Sequence, residues 1–154
     1  AVEADIQRLN ARAEELRREL EGLVEADAEA FAPLAKAYSI PKDDPARAKI
    51  MEKALDAACA VPLEILEKCA EGVALAEEYA AKGSVLAVSD AGCAALFCKA
   101  AMQAAGLNVA INTRLMADRE KAAALDKKAG ALLAEYGPRA DAVYTQVNGQ
   151  LKGE

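Results

Sequence analysis

The sequence between residues 84 and 116 constrains the fold most, because it is a long run of small apolar residues. Its centre reads SDAGCAALFCKAAMQAAGLNVAIN from Ser89 to Asn112. A helix that is apolar around most of its circumference is usually buried. The run also holds Asp90 and Lys99, which favour a core helix over a membrane span. We therefore predict a central helix from Ala91 to about Met116, the most buried element of a helical bundle.

Three polar residues of this helix fall on one side, opposite Lys99 and Gln103. Asp90 and Asn108 are 18 residues apart, which is about five whole helical turns, and Asn112 lies one turn further on. Polar groups along a buried helix need hydrogen-bond partners, or they bind a ligand. One interpretation is an N-cap aspartate with two asparagines that bond across helices, and the other is a binding site. The residues alone leave both interpretations open.

The first predicted helix carries a carboxylate in its apolar seam. From Val2 to Leu23 the apolar residues recur at alternating steps of four and three, the spacing of a heptad seam. The next seam position is Asp27, after which Phe31 and Leu34 resume the apolar stripe. A carboxylate therefore stands where this helix, predicted from residue 2 to about residue 38, should face its partner.

Caps and helix breakers predict the remaining elements. Asp44 is suited to cap a second helix, which is kinked at Pro62 and ends at Gly83. Asp118 is suited to cap another helix, which the Gly137–Pro138 pair interrupts. The predicted helical ranges are 45–81, 119–136 and 138–147, with residues 148–154 frayed.

Composition limits the class of protein. From a length of 154 residues we expect one domain, and with 54% hydrophobic but only 4% aromatic residues the helices can pack closely. Few segments are rich in β-branched residues, so we predict an all-α fold without a sheet. The net charge of −6 excludes the basic footprint of a nucleic-acid-binding protein. The charged stretch from Val2 to Glu29 does not have the pattern of a signal peptide, so we expect a cytoplasmic protein.

Cysteine and histidine content narrows the chemistry. The chain has no histidine, which removes the commonest metal ligand and the usual general base. The four cysteines lack zinc-like spacing, so no metal site is predicted. We interpret them as small buried hydrophobic residues in a reducing compartment: Cys59, Cys69, Cys93 and Cys98.

Acid–base chemistry must then use carboxylates, Lys, Tyr or Cys. Asp27 and Asp90 are the carboxylates predicted to be least solvated, and desolvation favours a carboxyl group that holds or takes a proton near neutrality. A structural interpretation stands beside the catalytic one. Asp27 would bond a neighbouring helix, and Asp90 would be an N-cap.

Five segments of the chain carry a family resemblance. They are DAEAF from Asp27, IPK at 40–42, the AL…VPLEI run at 54–65, KGSVLAVSDAG at 82–92, and SDAGCAAL followed by LNVAIN. In this order and spacing they resemble the formiminotransferase-cyclodeaminase family, in particular its cyclodeaminase and methenyltetrahydrofolate cyclohydrolase members. The family normally begins with a glycine-rich GGGS segment that has no counterpart here. We therefore expect a chain that is N-terminally incomplete relative to the family, or a divergent member.

The resemblance implies an all-helical homodimer that acts in folate-dependent one-carbon metabolism. The substrate would be a tetrahydrofolate derivative, with no bound prosthetic group and no metal, nucleic acid or membrane partner. A cyclohydrolase opens the methenyl-bridged ring with water, and a cyclodeaminase closes a formimino group onto the neighbouring nitrogen and expels ammonia. The implied catalytic residues are Asp27, Asp90 and Lys42. The implied substrate-binding residues are Ser89, Asn108 and Asn112.

These residues have alternative interpretations as well. Lys42 is either an exposed loop lysine or a contact to the folate glutamate or pterin, and Asn112 is either a pterin contact or a cross-helix bond. We expect Asp27 and Asp90 to line one cleft with Lys42 and Asn108, within one chain or across a dimer interface. Two other functional classes stay open, a folate-binding protein without activity and a helical scaffold.

Overall fold

Four long helices make up the computed structural model, which describes residues 2–153. They are α1 (Val2–Tyr38), α2 (Arg47–Lys82), α3 (Val88–Thr113) and α4 (Arg119–Lys152), with a single 3₁₀ turn at Val85–Ala87 before α3. Residues 2–153 contain no β-strand. The predicted all-α bundle of long helices is confirmed.

Contacts along α2 fix the directions of its neighbours. Tyr79 Oη near the end of α2 donates to Asn10 Oδ1 near the start of α1, at 2.7 Å. Asn112 Nδ2 at the end of α3 donates to the Ala58 carbonyl early in α2, at 3.0 Å. Both α1 and α3 therefore run antiparallel to α2 and parallel to each other. The backbone of α1 approaches only α2, whereas α4 packs against α2 and α3.

The most buried helix is α2, so the prediction of α3 as the most buried element was wrong. Half of the residues of α3 are exposed, against a quarter of those of α2. The reason is the number of neighbours, because α2 packs against three helices and α3 only against α2 and α4. The exposed fractions of Phe97, Leu107 and Ile111 are 75%, 73% and 62%. By length and composition alone, the span Val85–Thr113 would suffice to cross a membrane.

Pro62 lies inside α2 without ending it. A proline has no N–H, so the carbonyl of Ala58, four residues earlier, loses its helical donor. The side-chain amide of Asn112 on α3 donates to this carbonyl at 3.0 Å. The neighbouring helix thus satisfies the buried acceptor that the proline leaves open.

The predicted break at Gly137–Pro138 was also wrong, because α4 continues through it to Lys152 and includes most of the stretch predicted to be frayed. Packing on both sides of the proline explains this continuity, since Ala129 and Val143 are both buried. Arg139 adds a further contact. Its guanidinium lies 4.3 Å from the Tyr136 ring centroid and bonds Glu77 of α2 at 2.6 Å and 2.8 Å.

Two of the predicted helix boundaries have a candidate capping side chain beside them. Asp118 Oδ1 accepts from the Lys121 backbone N–H at 2.9 Å, which confirms the predicted cap of α4. Asp44 was wrongly predicted as the cap of α2, because the N-cap is Ala46, which makes no side-chain cap bond, and α2 begins two residues later than predicted. Asp44 Oδ1 instead accepts from the Ala46 N–H at 2.8 Å in the turn before the helix. Gly83 follows α2, and a Cβ there would lie 2.5 Å from the Tyr79 carbonyl oxygen.

Candidate functional site

A groove runs between the parallel helices α1 and α3, and α2 forms its floor. Its wider part has a volume of about 820 Å³ and is bounded by the first halves of α1 and α3. A volume of several hundred Å³ with mostly apolar walls is typical of small-molecule sites. The apolar walls include Ile6, Leu16, Leu20, Leu75, Ala91 and Ala94.

Polar groups lie at the rim of this wider part. Asp90 stands in the first turn of α3 and is exposed, so the prediction that it is poorly solvated was wrong. It is not the N-cap of α3 either, because Ala87 holds that position without a side-chain cap bond. Ser84 lies before Asp90, and its hydroxyl oxygen accepts from the Leu86 N–H at 3.2 Å.

Across the groove, α1 contributes Asn10 and Arg17. The lining of the wider part therefore includes a carboxylate, a hydroxyl, an amide and a guanidinium, and the guanidinium of Arg17 pairs with Glu14 and Glu21 of its own helix.

Asp27 lies in the narrower second part of the same groove. This part has a volume of about 510 Å³ and shares Leu20 and Cys98 with the wider part. Asp27 is half-buried here, with Phe97 and Ile65 among the other residues of the wall. The two predicted carboxylates thus line adjoining parts of one groove.

Distance along α3 separates these carboxylates. Ala101, which lines the part that holds Asp27, follows Asp90 by eleven residues, and at the helical rise this is about 16 Å. One reacting atom cannot contact both carboxylates of a single chain over such a distance. Each carboxylate would have to act in its own part of the groove, or with groups from elsewhere.

The other predicted residues do not join these carboxylates within one chain. Asn108 is exposed on α3, about 27 Å along the helix from Asp90. Lys42 is exposed in the loop between α1 and α2, and Ser89 is exposed beside Asp90. Residues 18 positions apart share a helix face, but the axial rise over five turns keeps them far apart. The expected single cleft is therefore not assembled by one chain.

Asn112 takes the structural role that the sequence left open. Its side chain is buried and its amide is occupied by the Ala58 carbonyl. The cross-helix interpretation fits this geometry, and a pterin contact would require the bond to break.

Sequence reasoning missed the polar pair of Tyr79 and Asn10. These residues line the groove and join α2 to α1 through the 2.7 Å hydrogen bond. Burial raises the pKa of the Tyr79 hydroxyl. The only signal in the sequence was a polar residue next to an apolar seam position on α1, and no spacing rule connects residues 69 positions apart.

An ion-pair cluster holds α1 in place as the groove wall. Arg12 of α1 pairs with Glu71 of α2, and Lys68 Nζ of α2 bonds Glu19 of α1 at 2.9 Å. Hydrogen bonds from Lys68 and Arg12 hold the pKa of Glu19 below its usual range. Because α1 packs against α2 alone, these cross-helix pairs help to set the groove width. Within residues 2–153, no three His, Cys, Asp or Glu side chains cluster as metal ligands would.

Comparison with known proteins gives this groove a family context. A family model described as formiminotransferase-cyclodeaminase matches residues 1–131. The chain belongs to the formiminotransferase-cyclodeaminase family. A methenyltetrahydrofolate cyclohydrolase of Methylorubrum extorquens is 38% identical over 154 aligned residues, which cover 97% of this chain and 74% of that protein.

Other members of the family are similar over different lengths. A formimidoyltransferase-cyclodeaminase of Sus scrofa is 34% identical over 120 residues, which cover 75% of this chain but only 22% of that protein. The crystal structure of a formiminotetrahydrofolate cyclodeaminase from Thermotoga maritima superposes with a TM-score of 0.78 at 28% identity. The superposition covers 99% of this chain and 72% of the Thermotoga maritima chain. The family fold implied by the resemblance is confirmed.

Proposed function

We propose that this chain acts in folate-dependent one-carbon metabolism as a methenyltetrahydrofolate cyclohydrolase. One observation carries the proposal, namely 38% identity to a protein of that name over 97% of this chain and 74% of the relative. A formiminotetrahydrofolate cyclodeaminase is the second candidate, favoured by the structural likeness at a TM-score of 0.78.

The chemistry of the substrate fits a groove that carries carboxylates. The methenyl bridge is a cation shared between two nitrogens, and a carboxylate nearby stabilises positive charge in a poorly solvated site. Water adds to the bridge carbon and loses a proton, which gives a tetrahedral carbon between the two nitrogens. Breaking one carbon–nitrogen bond then delivers the formyl product, as that nitrogen gains a proton and the hydroxyl on the bridge carbon releases its proton to solvent to become the formyl carbonyl. A carboxylate can accept the first proton and return the second.

The proposed roles divide between two carboxylates that line the groove and three exposed residues outside its lining. Asp90 and Asp27 are the candidate proton-transfer groups, since both line the groove. Apolar walls suit the flat pterin and aminobenzoyl rings of the tetrahydrofolate substrate. Ser89 and Asn108 are candidate polar contacts, and Lys42 a candidate contact for the glutamate carboxylates. No prosthetic group is needed for this reaction.

A homodimer would bring these separated residues together. The exposed apolar side chains of α1 and α3, such as Val24 and Phe97, flank the groove and are suited to contact a second copy. A two-fold axis across the groove reverses the order of residues in the second copy. The Asp90 end of one groove would then face the Asn108 end of the other. The four free cysteines fit the cytoplasm, where we place this dimer.

A spectroscopic assay with two substrates tests the proposed function. Methenyltetrahydrofolate has a near-ultraviolet absorption band. The band disappears when the methenyl-bridged ring is opened by water, and it appears when the formimino substrate closes to form that ring. We expect the band of the methenyl substrate to disappear faster with the wild-type chain than with the Asp27→Asn/Asp90→Asn double variant. Growth of the band from the formimino substrate, with ammonia release, would favour the second candidate. No acceleration with either substrate would contradict an enzymatic role, and equilibrium binding would then separate a folate binder from a scaffold.

A further inference from the structure

Two cysteines meet at the floor of the groove, where α2 and α3 approach closely. Cys98 of α3 lines both parts of the groove, and Cys69 of α2 lines the narrower part beside it. Gly72, one turn after Cys69, makes this approach possible. A Cβ at position 72 would lie 2.6 Å from Cys98 Sγ, so the sulfur occupies the space that a larger residue would fill.

The two thiols differ in exposure, and both side chains line the narrower part of the groove. Cys69 is 3% exposed and belongs to the core, whereas Cys98 is half-buried at its edge. The neighbouring thiol of Cys98, and then burial, raise the pKa of Cys69. The thiol of Cys69 lowers the pKa of Cys98, against the effect of burial. Cys98 is therefore the better nucleophile of the pair, since the thiolate is the reactive form.

The other two cysteines lack such a partner within the described residues. Cys59 is fully buried in the separate apolar cluster that contains Leu55 and Met116. Cys93 is exposed on α3, so the prediction that it is buried was wrong, and it lines neither part of the groove.

We propose that Cys69 and Cys98 form a peroxide-sensitive dithiol, which oxidises to a disulfide that links α2 to α3 beneath the groove. The proposal is independent of the folate function, because it depends only on the two thiols and their access through the groove. Peroxide is small enough to reach Cys98 even if a larger molecule covers the groove.

The oxidation proceeds in two steps. The Cys98 sulfur attacks one oxygen of hydrogen peroxide, so an S–O bond forms, the O–O bond breaks, and the departing hydroxide is protonated to water. The Cys69 sulfur then attacks the Cys98 sulfur. The S–S bond forms, the S–O bond breaks, and a second water leaves with the proton of Cys69. Each sulfur gives up one electron, and peroxide takes up both.

Peptide mass spectrometry after brief peroxide treatment of the full chain tests this pairing. We expect a 69–98 linked peptide, two hydrogen masses lighter than the two thiol peptides and released by dithiothreitol. It should persist in Cys93→Ser and disappear in Cys69→Ser. The linked protein should melt about 5 °C or more above the reduced one, because the cross-link closes a loop of about 30 residues.

A glycine substitution tests the geometry without removing a sulfur. Gly72→Ala should turn Cys98 away and lower the yield of the 69–98 link at least fivefold at a fixed peroxide dose. Gly130→Ala is the matched control, because a Cβ there meets nothing within 4 Å. The proposal is overturned if Cys98 accumulates sulfinic acid while Cys69 stays free. It is equally overturned if Cys98 pairs with Cys93, or if Gly72→Ala leaves the yield unchanged.

Discussion

At the scale of residues, Asn112 shows how one side chain repairs a defect in another helix. Pro62 removes the donor for the Ala58 carbonyl, and the Asn112 amide supplies it at 3.0 Å. An unpaired buried carbonyl costs free energy comparable to a lost hydrogen bond. The pair is therefore thermodynamically coupled, although its members are 50 positions apart.

A double-mutant cycle tests this coupling. Asn112→Ala should lower the free energy of unfolding by about 1–3 kcal/mol, because the buried Ala58 carbonyl loses the amide donor that replaces the missing N–H of Pro62. In a Pro62→Ala background the helix supplies its own N–H, so the same change should cost at least about 1 kcal/mol less. Urea denaturation of the four proteins measures both terms. If Asn112→Ala lowers the free energy of unfolding equally in both backgrounds, Asn112 does not compensate for the N–H that Pro62 lacks.

The buried thiol of Cys59 should lower the free energy of unfolding at alkaline pH. Burial, and then the charges of Asp56 and Asp126, raise the pKa of its thiol from an ordinary value near 9 to about 11, against the effect of Lys121. The folded state therefore resists ionisation that the unfolded state accepts. This contribution is complete below pH 9 and is lost as the pH rises through 11.

Urea denaturation at pH 8 and pH 10.5, in reducing buffer, measures this loss. Between these values the wild type should lose about 2 kcal/mol more than Cys59→Ala. Cys69 and Tyr79 remain in both proteins, so their titration cancels from the difference. An equal loss of unfolding free energy between pH 8 and pH 10.5 in both proteins would show that the buried thiol is not responsible.

The residue scale also shows what helical periodicity can predict. Counting turns placed Asp90 and Asn108 on one side of α3, and the seam of α1 placed Asp27 in contact with its partners, which its half-buried position supports. Periodicity predicts the side of a helix on which a residue lies, but it does not predict whether two residues on that side lie close together. Pairs such as Tyr79 with Asn10 depend on the register between helices, which no single-helix pattern contains.

At the scale of elements, α1 and α2 were predictable to within two residues, because their seams and the loop between them agree. The end of α4 was not predictable from local signals. Gly137 and Pro138 are strong breakers, but packing against α2 and α3 continues on both sides of them and outweighs their local preference. Burial of α3 was overestimated for a related reason, since apolar composition does not say how many neighbours a helix has.

The exposed face of α3 predicts self-association. Phe97 and Leu107 are 75% and 73% exposed on a helix whose other side packs in the core. We expect a dimer at micromolar concentration that Phe97→Glu/Leu107→Glu converts to a monomer, because two charges would be buried without partners.

Light scattering and circular dichroism together measure this effect. Tyr144→Glu is the matched control, since Tyr144 is also exposed but lies on α4, away from the groove. It should leave the dimer intact. A wild-type monomer, or a double variant that remains a dimer while keeping its helix content, would contradict this use of the α3 face.

At the scale of the whole molecule, the groove exists because α1 and α3 lie side by side on α2 and the backbone of α1 does not reach α3. This arrangement places two carboxylates along one mostly apolar cleft, in a member of a family whose relatives are named for reactions of one-carbon folates. We propose that these carboxylates transfer the protons of the reaction.

Turnover of methenyltetrahydrofolate by Asp27→Asn tests this claim most directly. We expect turnover to fall by about a hundredfold, the usual scale for loss of a general acid or base. The unfolding free energy should change little or rise, because a half-buried charge has been removed. Glu25→Gln, an exposed carboxylate two residues away, is the matched control and should keep full activity. Full activity in Asp27→Asn together with lost stability would show that Asp27 is structural and would contradict the account.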